Sequence, residues 1–298
     1  MPCYHPLQAY RIDGVSNLSF RDQDRHIGMP VKVPCGQCIG CRLERSRQWA
    51  MRCVHEASLY EDNCFVTLTY DNENLPYDMS LNLRHFQLFM KRLRKAYTGR
   101  RIRFFHCGEY GDQNGRPHYH AILFNLDFWD KRLWKITKQG HPVFVSDQLS
   151  ELWQQGFCLL GAVTFQSAAY VSRYIMKKVT GASATENYQW IHPETGEVLE
   201  RKAEYATMSR RNGIGTEWYK RWTRDVYPND VVVMEGVRMR PPKAYDRLLA
   251  STDPLEMEEI SYSREKRAEK FADDNTEDRL LVKEKVKLSQ ISQLKRSV

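Results

Sequence analysis

The order of strand and helix patterns in the middle of the chain constrains its fold more than any other sequence feature. Residues 64–69 are β-branched and aromatic and end at the turn formers Asp71 and Asn72, so they predict a strand. After a candidate N-cap at Ser80, apolar residues recur at intervals of three and four, which predicts an amphipathic helix. The same reasoning predicts strands at 103–108, 118–124 and 157–164. It also predicts helices at 42–60, 146–155 and 168–178, with Ser146 as the candidate N-cap of the second.

The six central elements follow one another as β-α-β-β-α-β. This is the ferredoxin-like split-βαβ order, in which an antiparallel sheet carries helices on one face. The sequence therefore predicts an α+β fold with added helices and a charged, helical C-terminal tail. The sequence predicts three segments. Residues 1–60 form a Cys-rich segment and a helix that pack on the central domain. Residues 61–230 form the central domain with a basic C-terminal extension, and residues 231–298 form the tail.

The excess positive charge lies entirely outside residues 251–298. Residues 251–298 hold 10 basic and 11 acidic residues, which leaves 35 basic and 26 acidic residues, a net charge of +9, on 1–250. A basic globular part favours a polyanionic partner, and ordinary solubility charge is the alternative. The chain has no apolar run near the roughly 18 residues of a membrane span and no signal-peptide pattern at its N-terminus, so we expect an intracellular protein without a membrane partner.

His118 and His120 alternate with Tyr119 in a predicted strand, so both imidazoles point to one face. Glu109 ends the preceding strand, and the Gly-rich turn folds that strand back beside His118. Two imidazoles and one carboxylate leave open positions on a metal, which suits Mg²⁺ or Mn²⁺ holding a phosphate. An exposed histidine pair on an edge strand is the alternative.

Tyr170 and Tyr174 are four residues apart in a predicted helix and therefore share a face, with Lys177 and Lys178 about one turn further along. A phenol can attack phosphorus and form a covalent phosphotyrosine when its charge is stabilised. A tyrosine pair in the core, with a basic flank, is the alternative for this spacing alone.

Together these segments resemble the HUH endonucleases, which initiate rolling-circle replication. The resemblance covers residues 60–180 and rests on three motifs in the family's order, at 65–70, 115–120 and 170–178. The segments 35–42, 108–111 and 209–215 further resemble the replication initiators of small single-stranded DNA phages of the gokushovirus kind, although Pro is expected there at the position of Asn212.

The resemblance implies metal-dependent, site-specific nicking and rejoining of single-stranded DNA at a viral origin through a 5′-phosphotyrosine. His118, His120 and Glu109 would hold the Mg²⁺ or Mn²⁺, and Tyr170 or Tyr174 would attack, supported by Lys177. The side chains expected to contact DNA are Arg116, Lys178, Arg210 and Arg211. A host polymerase would extend the 3′-OH in the host cell cytoplasm. The sequence has no G-x-x-x-x-G-K-[ST] motif, so strand separation would require a host helicase.

Four cysteines near the N-terminus form a second candidate site. Cys35, Cys38 and Cys41 are spaced C-x-x-C-x-x-C, and together with Cys3 they could hold a tetrahedral Zn²⁺. Free thiols and a disulfide are the alternatives. The other cysteines, Cys53, Cys64, Cys107 and Cys158, lie in predicted elements and are expected to be buried.

The basic loop after residue 208 and the function of the whole chain each allow more than one interpretation. The backbone N–H groups around Gly213 and Gly215 beside Arg210 and Arg211 could contact phosphate, and the aromatic residues at 218, 219 and 222 could stack on bases or form core. For the whole chain, the alternatives to a nickase are a non-catalytic single-stranded nucleic-acid-binding domain and a metal-dependent hydrolase that does not use the tyrosines.

Overall fold

The computed structural model describes residues 3–14, 17–111, 114–174 and 184–293. The strands described are β1 (Leu7–Arg11), β2 (Met29–Val33), β3 (Asn63–Thr69), β4 (Arg103–Tyr110), β5 (Pro117–Phe124), β6 (Arg132–Ile136), β7 (Pro142–Val145), β8 (Cys158–Gly161), β9 (Gln189–Ile191), β10 (Val198–Glu200), β11 (Tyr205–Met208), β12 (Val232–Met234) and β13 (Val237–Met239). The α-helices described are α1 (Ile39–Ala57), α2 (Leu83–Ala96), α3 (Asp147–Trp153), α4 (Phe165–Tyr174), α5 (Ala184–Tyr188), α6 (Thr216–Val226), α7 (Lys243–Thr252), α8 (Pro254–Glu269) and α9 (Glu277–Gln293).

The chain forms two compact units, Met1–Arg45 with Leu249–Ser297, and Ser46–Leu248. The boundaries between these units fall inside α1 and α7. The division at 60 and 230 stays a prediction. The first unit contains the antiparallel β1–β2 hairpin and the helices α8 and α9, so the C-terminal end of the chain is helical in its described residues, whereas β12 and β13 occupy the first part of the predicted tail. Leu280 is buried in this unit, whereas Leu281 and Val286 of the same helix, α9, are exposed.

The second unit is built on a seven-stranded sheet in the order β11-β4-β5-β3-β8-β7-β6. Every neighbouring pair in it is antiparallel, which confirms the α+β fold with an antiparallel sheet. The four predicted strands β3, β4, β5 and β8 occupy its centre. The hairpin β6–β7 and the edge strand β11 extend it beyond the predicted strands.

Helices cover both faces of the sheet, because apolar side chains of its central strands point to both sides. On one face, α2 and α3 pack against Val66, Leu68, Tyr119 and Leu123. On the other face, α1 and α4 pack against a second apolar cluster that includes Ile122. The histidine pair lies on the second face, since His118 and His120 alternate with Tyr119 and are in phase with Ile122.

The helix starts test two cap predictions. The prediction of Ser80 as the cap of α2 is wrong, because the side chain of Asn82 caps this helix by accepting a hydrogen bond from the Arg84 N–H. Ser80 Oγ instead accepts from the Lys202 N–H at 2.9 Å. The predicted cap at Ser146 is confirmed, since its Oγ accepts from the Leu149 N–H at 3.0 Å.

Within the described part of the chain, we find no helix that is both long and apolar enough to cross a membrane.

Candidate metal and nucleophile site

The β4–β5 pairing brings one carboxylate and two imidazoles together. Glu109 lies directly opposite His118 in the antiparallel ladder, and His120 follows two residues later on the same face. Glu109 Oε1 lies 2.7 Å from His118 Nε2 and 2.8 Å from His120 Nε2. The structure therefore brings together the three residues that the sequence predicted as metal ligands.

The outer nitrogen of each imidazole is held by a second contact. His118 Nδ1 lies 3.1 Å from the carbonyl oxygen of Arg116, and His120 Nδ1 lies 2.9 Å from Thr67 Oγ1. A carbonyl oxygen only accepts, so Nδ1 of His118 carries a proton and its Nε2 faces the carboxylate. Contacts of this kind fix the orientation of metal-binding histidines in other proteins.

This donor set fits a divalent cation. One ligand atom each from Glu109, His118 and His120 lie within 4.8 Å of one another. Adjacent ligands of an octahedral cation at about 2.1 Å are about 3 Å apart, close to the distances found here. Burial raises the pKa of Glu109, but the hydrogen bonds from His118 and His120 outweigh burial and hold that pKa below its ordinary value. The carboxylate is therefore in the charged form that a cation needs.

Helix α4 places a tyrosine ring beside this cluster. The centroid of the Tyr170 ring lies 5.1 Å from that of His120 in an edge-to-face contact, and 6.4 Å from that of Phe65. Tyr174 is the last residue of α4, and the placement of its side chain lies outside the described residues. The predicted roles of Lys177 and Lys178 also fall on residues outside the described part of the chain.

The four N-terminal cysteines form a second cluster in the first unit. The Sγ atoms of Cys3, Cys35, Cys38 and Cys41 all lie within 4.8 Å of one another. None of the eight cysteines forms a disulfide, which leaves zinc and free thiols as the alternatives for this cluster. The remaining four, Cys53, Cys64, Cys107 and Cys158, are buried as predicted.

The loop at 209–215 is held to the core through its backbone. Arg103 donates to the carbonyl oxygens of Arg211 and Asn212, and the Gly215 N–H donates to Glu56 Oε2 at 2.7 Å. The expectation that the Gly215 N–H contacts phosphate is therefore wrong, because Glu56 accepts that hydrogen bond. The side chains of Arg210 and Arg211 are exposed, as a role in binding DNA requires.

Asn212 adopts a left-handed backbone conformation with a φ of 57°. Asn tolerates this region, whereas Pro is fixed near a φ of −65° and cannot adopt it. Asn at position 212 therefore fits a backbone conformation that the expected Pro could not adopt.

Arg116, another predicted DNA contact, makes hydrogen bonds within the protein. The Arg116 guanidinium donates to Asn72 Oδ1 at 2.8 Å and to the Tyr70 carbonyl oxygen at 3.1 Å.

The interpretation of the aromatic residues at 218, 219 and 222 as core residues is confirmed for Trp218 and Tyr219. Trp218 stacks on His55 with ring centroids 3.5 Å apart, and Tyr219 is buried.

Sequence reasoning gave Thr67 no role, although it contacts His120. Thr67 is half-buried on the face of β3 opposite to Val66 and Leu68, and it pairs with His120 across β3 and β5. Only the register between β3 and β5, which the sequence does not specify, identifies Thr67 as the residue opposite His120.

Comparison with known proteins identifies the family. The family model described as replication-associated protein ORF2/G2P matches residues 63–179. The chain is 31% identical to the replication-associated protein VP4 of Bdellovibrio phage phiMH2K, over 82% of this chain and 76% of that protein. It is 30% identical to the replication-associated protein ORF2 of Spiroplasma virus 4, over 91% and 88% of the two chains.

A third relative, the replication-associated protein ORF4 of Chlamydia phage 1, is 30% identical over 82% of this chain and 58% of its own length. No solved structure shows significant similarity to the chain. The identities and coverage of the first two relatives show that the chain belongs to the family of replication-associated proteins of gokushovirus-like microviruses.

Proposed function

We propose that this protein initiates rolling-circle replication by nicking one DNA strand at a specific site and later rejoining it. The observation that carries the proposal is the contact of the Tyr170 ring with His120, which sets a phenol beside the cluster of Glu109, His118 and His120. Under this proposal, the strands β4-β5-β3-β8, with α2 and α3 on one face, form a ferredoxin-like HUH endonuclease frame.

The cluster would hold Mg²⁺ or Mn²⁺, which would polarise the scissile phosphate and neutralise part of its charge. Glu109 supplies the hard oxygen ligand, and the imidazoles of His118 and His120 supply nitrogen ligands. Thr67 and the Arg116 carbonyl orient these imidazoles through their Nδ1 atoms.

The covalent step exchanges one phosphodiester for another. The phenolic oxygen of Tyr170 forms a bond to phosphorus and loses its proton, while the bond from phosphorus to the 3′ oxygen breaks. The leaving 3′ oxygen takes up a proton and becomes a 3′-OH, and the 5′-phosphate stays on the tyrosine. Because the bond energy is retained, a 3′-OH can later reverse the step and rejoin the strand. Tyr174 would provide the second nucleophile for that exchange, with Lys177 supporting the phosphate.

The substrate under this proposal is single-stranded DNA at a viral origin in the host cell cytoplasm, with a host helicase and polymerase as further partners. The net charge of +9 on residues 1–250 favours such a polyanion. Arg210 and Arg211 lie exposed on their loop and, with Arg116 and Lys178, are the proposed phosphate contacts.

An adduct assay tests the nickase. The protein is incubated with end-labelled single-stranded DNA from its own genome and Mn²⁺, then denatured in SDS and separated by electrophoresis. We expect a covalent adduct that is absent in the Tyr170→Phe/Tyr174→Phe variant and after Glu109→Gln. Tyr262→Phe, which changes a tyrosine 62% exposed on α8, is the matched control and should form the adduct.

The same assay separates the alternatives. A non-catalytic binding domain predicts DNA binding without cleavage, which the double Phe variant would not alter. A hydrolase that does not use the tyrosines predicts metal-dependent cleavage without an adduct. Either outcome with correctly folded, metal-loaded protein contradicts the nickase.

We also propose that the N-terminal cysteine cluster holds a structural Zn²⁺. The Sγ atoms of Cys3 and Cys38 are 3.9 Å apart, close to the separation of about 3.8 Å expected for two thiolates bound to one zinc at about 2.3 Å. The backbone N–H groups of Cys35 and Tyr4 donate to Cys3 Sγ and Cys38 Sγ, both at 3.3 Å. Such hydrogen bonds stabilise thiolates.

Metal content measured on purified protein tests this site. We expect one zinc per chain, with loss of zinc in Cys38→Ser and retention in Cys158→Ser, which changes a buried cysteine outside the cluster. Zinc-free, folded wild-type protein would contradict the proposal. Iron with visible absorbance would also contradict it, because that would indicate an iron site.

A further inference from the structure

A row of side chains crosses the sheet from the metal and nucleophile site towards its far edge. Glu109 pairs with His118 across β4 and β5, and His118 pairs with Thr69 across β5 and β3. The N–H and the Oγ1 of Thr69 donate to the Phe157 carbonyl oxygen at 3.0 Å and 2.7 Å, so the β3–β8 ladder continues one residue before β8. The Phe157 ring centroid in turn lies 5.7 Å from that of Trp134 on β6.

Phe157 points to the face of the sheet that carries the histidines. Its neighbour Cys158 and the next residue in phase, Leu160, are buried in the core with α2 and α3. Strand side chains alternate, so Phe157 points the other way. The side chain is 46% exposed, and that of its ring neighbour Trp134 is 57% exposed.

Two cations lie on the same face of the neighbouring hairpin. Phe144 pairs with Leu160 and packs on the α2–α3 side, so the residues before and after it, Val143 and Val145, point to the histidine side. Arg132 pairs with Val145 and Lys135 with Val143 across β6 and β7, and directly opposite residues share a face. The register shift between Leu133 and Lys135 leaves Trp134 as the extra residue of a bulge beside these cations.

We propose that a single DNA strand continues from the nick site along this face and stacks its bases on Phe157 and Trp134, which we call the aromatic row. The inference rests on the proposed nicking function and names the path of its substrate. Phe157 lies two strand spacings, roughly 10 Å, from His118, within reach of the nucleotides next to a scissile phosphate.

The chemistry of the surface favours nucleic acid over an apolar protein partner. Exposed rings offer stacking platforms that accept any base, and a basic surface tracks the phosphates. Lys135 is exposed, and Arg132 contacts Asp147 in an ion pair whose side chains are 64% and 74% exposed. Because such a surface ion pair is weak, the Arg132 guanidinium is able to bind a phosphate as well.

Fluorescence anisotropy with a short, labelled single-stranded DNA of mixed sequence tests the aromatic row. Binding is measured with Mn²⁺ in the Tyr170→Phe/Tyr174→Phe background, which would form no adduct. We expect Trp134→Ala and Phe157→Ala each to weaken binding about 5- to 100-fold, the loss of one stacked base. Lys135→Ala should also make the affinity for DNA depend less steeply on the salt concentration.

Leu133→Ala is the matched control, because Leu133 is 58% exposed on the same strand and pairs with Phe144 on the opposite face. Its affinity for DNA should equal that of the parent protein. Unchanged affinity in both ring variants would overturn the aromatic row and leave that surface to a protein partner. If Trp134→Ala and Phe157→Ala weaken binding but the protein with both tyrosines forms no adduct, the nickase is refuted and the DNA path is supported. The failure of one proposal can therefore be distinguished from the failure of the other.

Discussion

Thr67 Oγ1 lies 2.9 Å from His120 Nδ1, which links strand β3 to a proposed metal ligand on strand β5. The contact orients the imidazole so that its Nε2 faces Glu109. Thr67→Val keeps the shape of the side chain and removes the hydroxyl. We expect it to weaken Mn²⁺ binding about 10- to 100-fold, as removal of an outer contact does at other metal sites.

Titration calorimetry with Mn²⁺ checks this expectation. Thr67→Ser retains the hydroxyl and should bind close to wild type. Equal Mn²⁺ affinity in Thr67→Val and wild type would mean that the imidazole is oriented by other contacts.

A buried ion pair joins helix α1 to strand β4 and should matter for stability. Arg103 Nε lies 2.7 Å from Glu56 Oε1, and both side chains are almost fully buried. Arg103→Met leaves the Glu56 carboxylate buried without its cation, so we expect the free energy of unfolding to fall by about 3–5 kcal/mol. Urea unfolding measures this, and the double variant Glu56→Gln/Arg103→Met should recover part of the loss. Simple additivity of the two changes would contradict the coupling.

His55 should make the protein sensitive to acid. Burial lowers the pKa of His55 from its ordinary value of 6.5 to about 3. Between these two pH values the unfolded chain binds a proton at His55 that the folded chain does not bind. The free energy of unfolding therefore falls as the pH drops from 6.5 towards 3. The contribution of His55 amounts to about 2 kcal/mol at about pH 5.

Urea unfolding of His55→Phe at about pH 7 and about pH 5 tests this linkage. Phe can still stack on Trp218, although it loses the contact of His55 Nδ1 with Tyr245 Oη at 2.8 Å. The variant is therefore expected to be less stable at neutral pH but to lose less stability on acidification. The exposed His141→Gln should retain the wild-type pH dependence. An equal slope in His55→Phe and wild type would rule out this origin.

Gly156 should tolerate no side chain. Its φ is +141°, and an added Cβ would lie 2.2 Å from the Asp71 backbone nitrogen. We expect Gly156→Ala to cost about 2–6 kcal/mol of stability through strain and overpacking. Gly140→Ala is the control, because its φ is +82° with nothing within 4 Å of the added Cβ, so only the backbone cost of about 1–2 kcal/mol applies. Thermal unfolding of both variants compares them, and equal losses would contradict the predicted steric clash.

The centre of the sheet and the ligand cluster could be predicted because each depends on local pattern. The period of two in β5 decides that His118 and His120 share a face, and the short distance along the chain to Glu109 decides that a hairpin joins them. These relations need no knowledge of distant residues.

The remaining features depend on contacts that are distant in sequence. Strand β6 was missed because the bulge at Trp134 breaks its alternation and its apolar residues are exposed. Asn82 replaces Ser80 as the cap because the Asn82 N–H donates to Tyr119 Oη at 2.8 Å, which positions the start of the helix from another strand. Ring stacking between Trp218 and His55 joins residues that no periodicity relates.

The alternation in β5 also limits how this strand can vary in length. Tyr119 points away from the histidines, and its hydroxyl lies 2.8 Å from that of Tyr70 on the α2 side. Deleting one residue between His120 and Phe124 would turn every later side chain of the strand to the opposite side of the sheet. Ile122 and Phe124 would then have to exchange places with Leu123 across two different cores. Strand β5 should therefore accept replacements of similar size during evolution while rejecting insertions and deletions of a single codon.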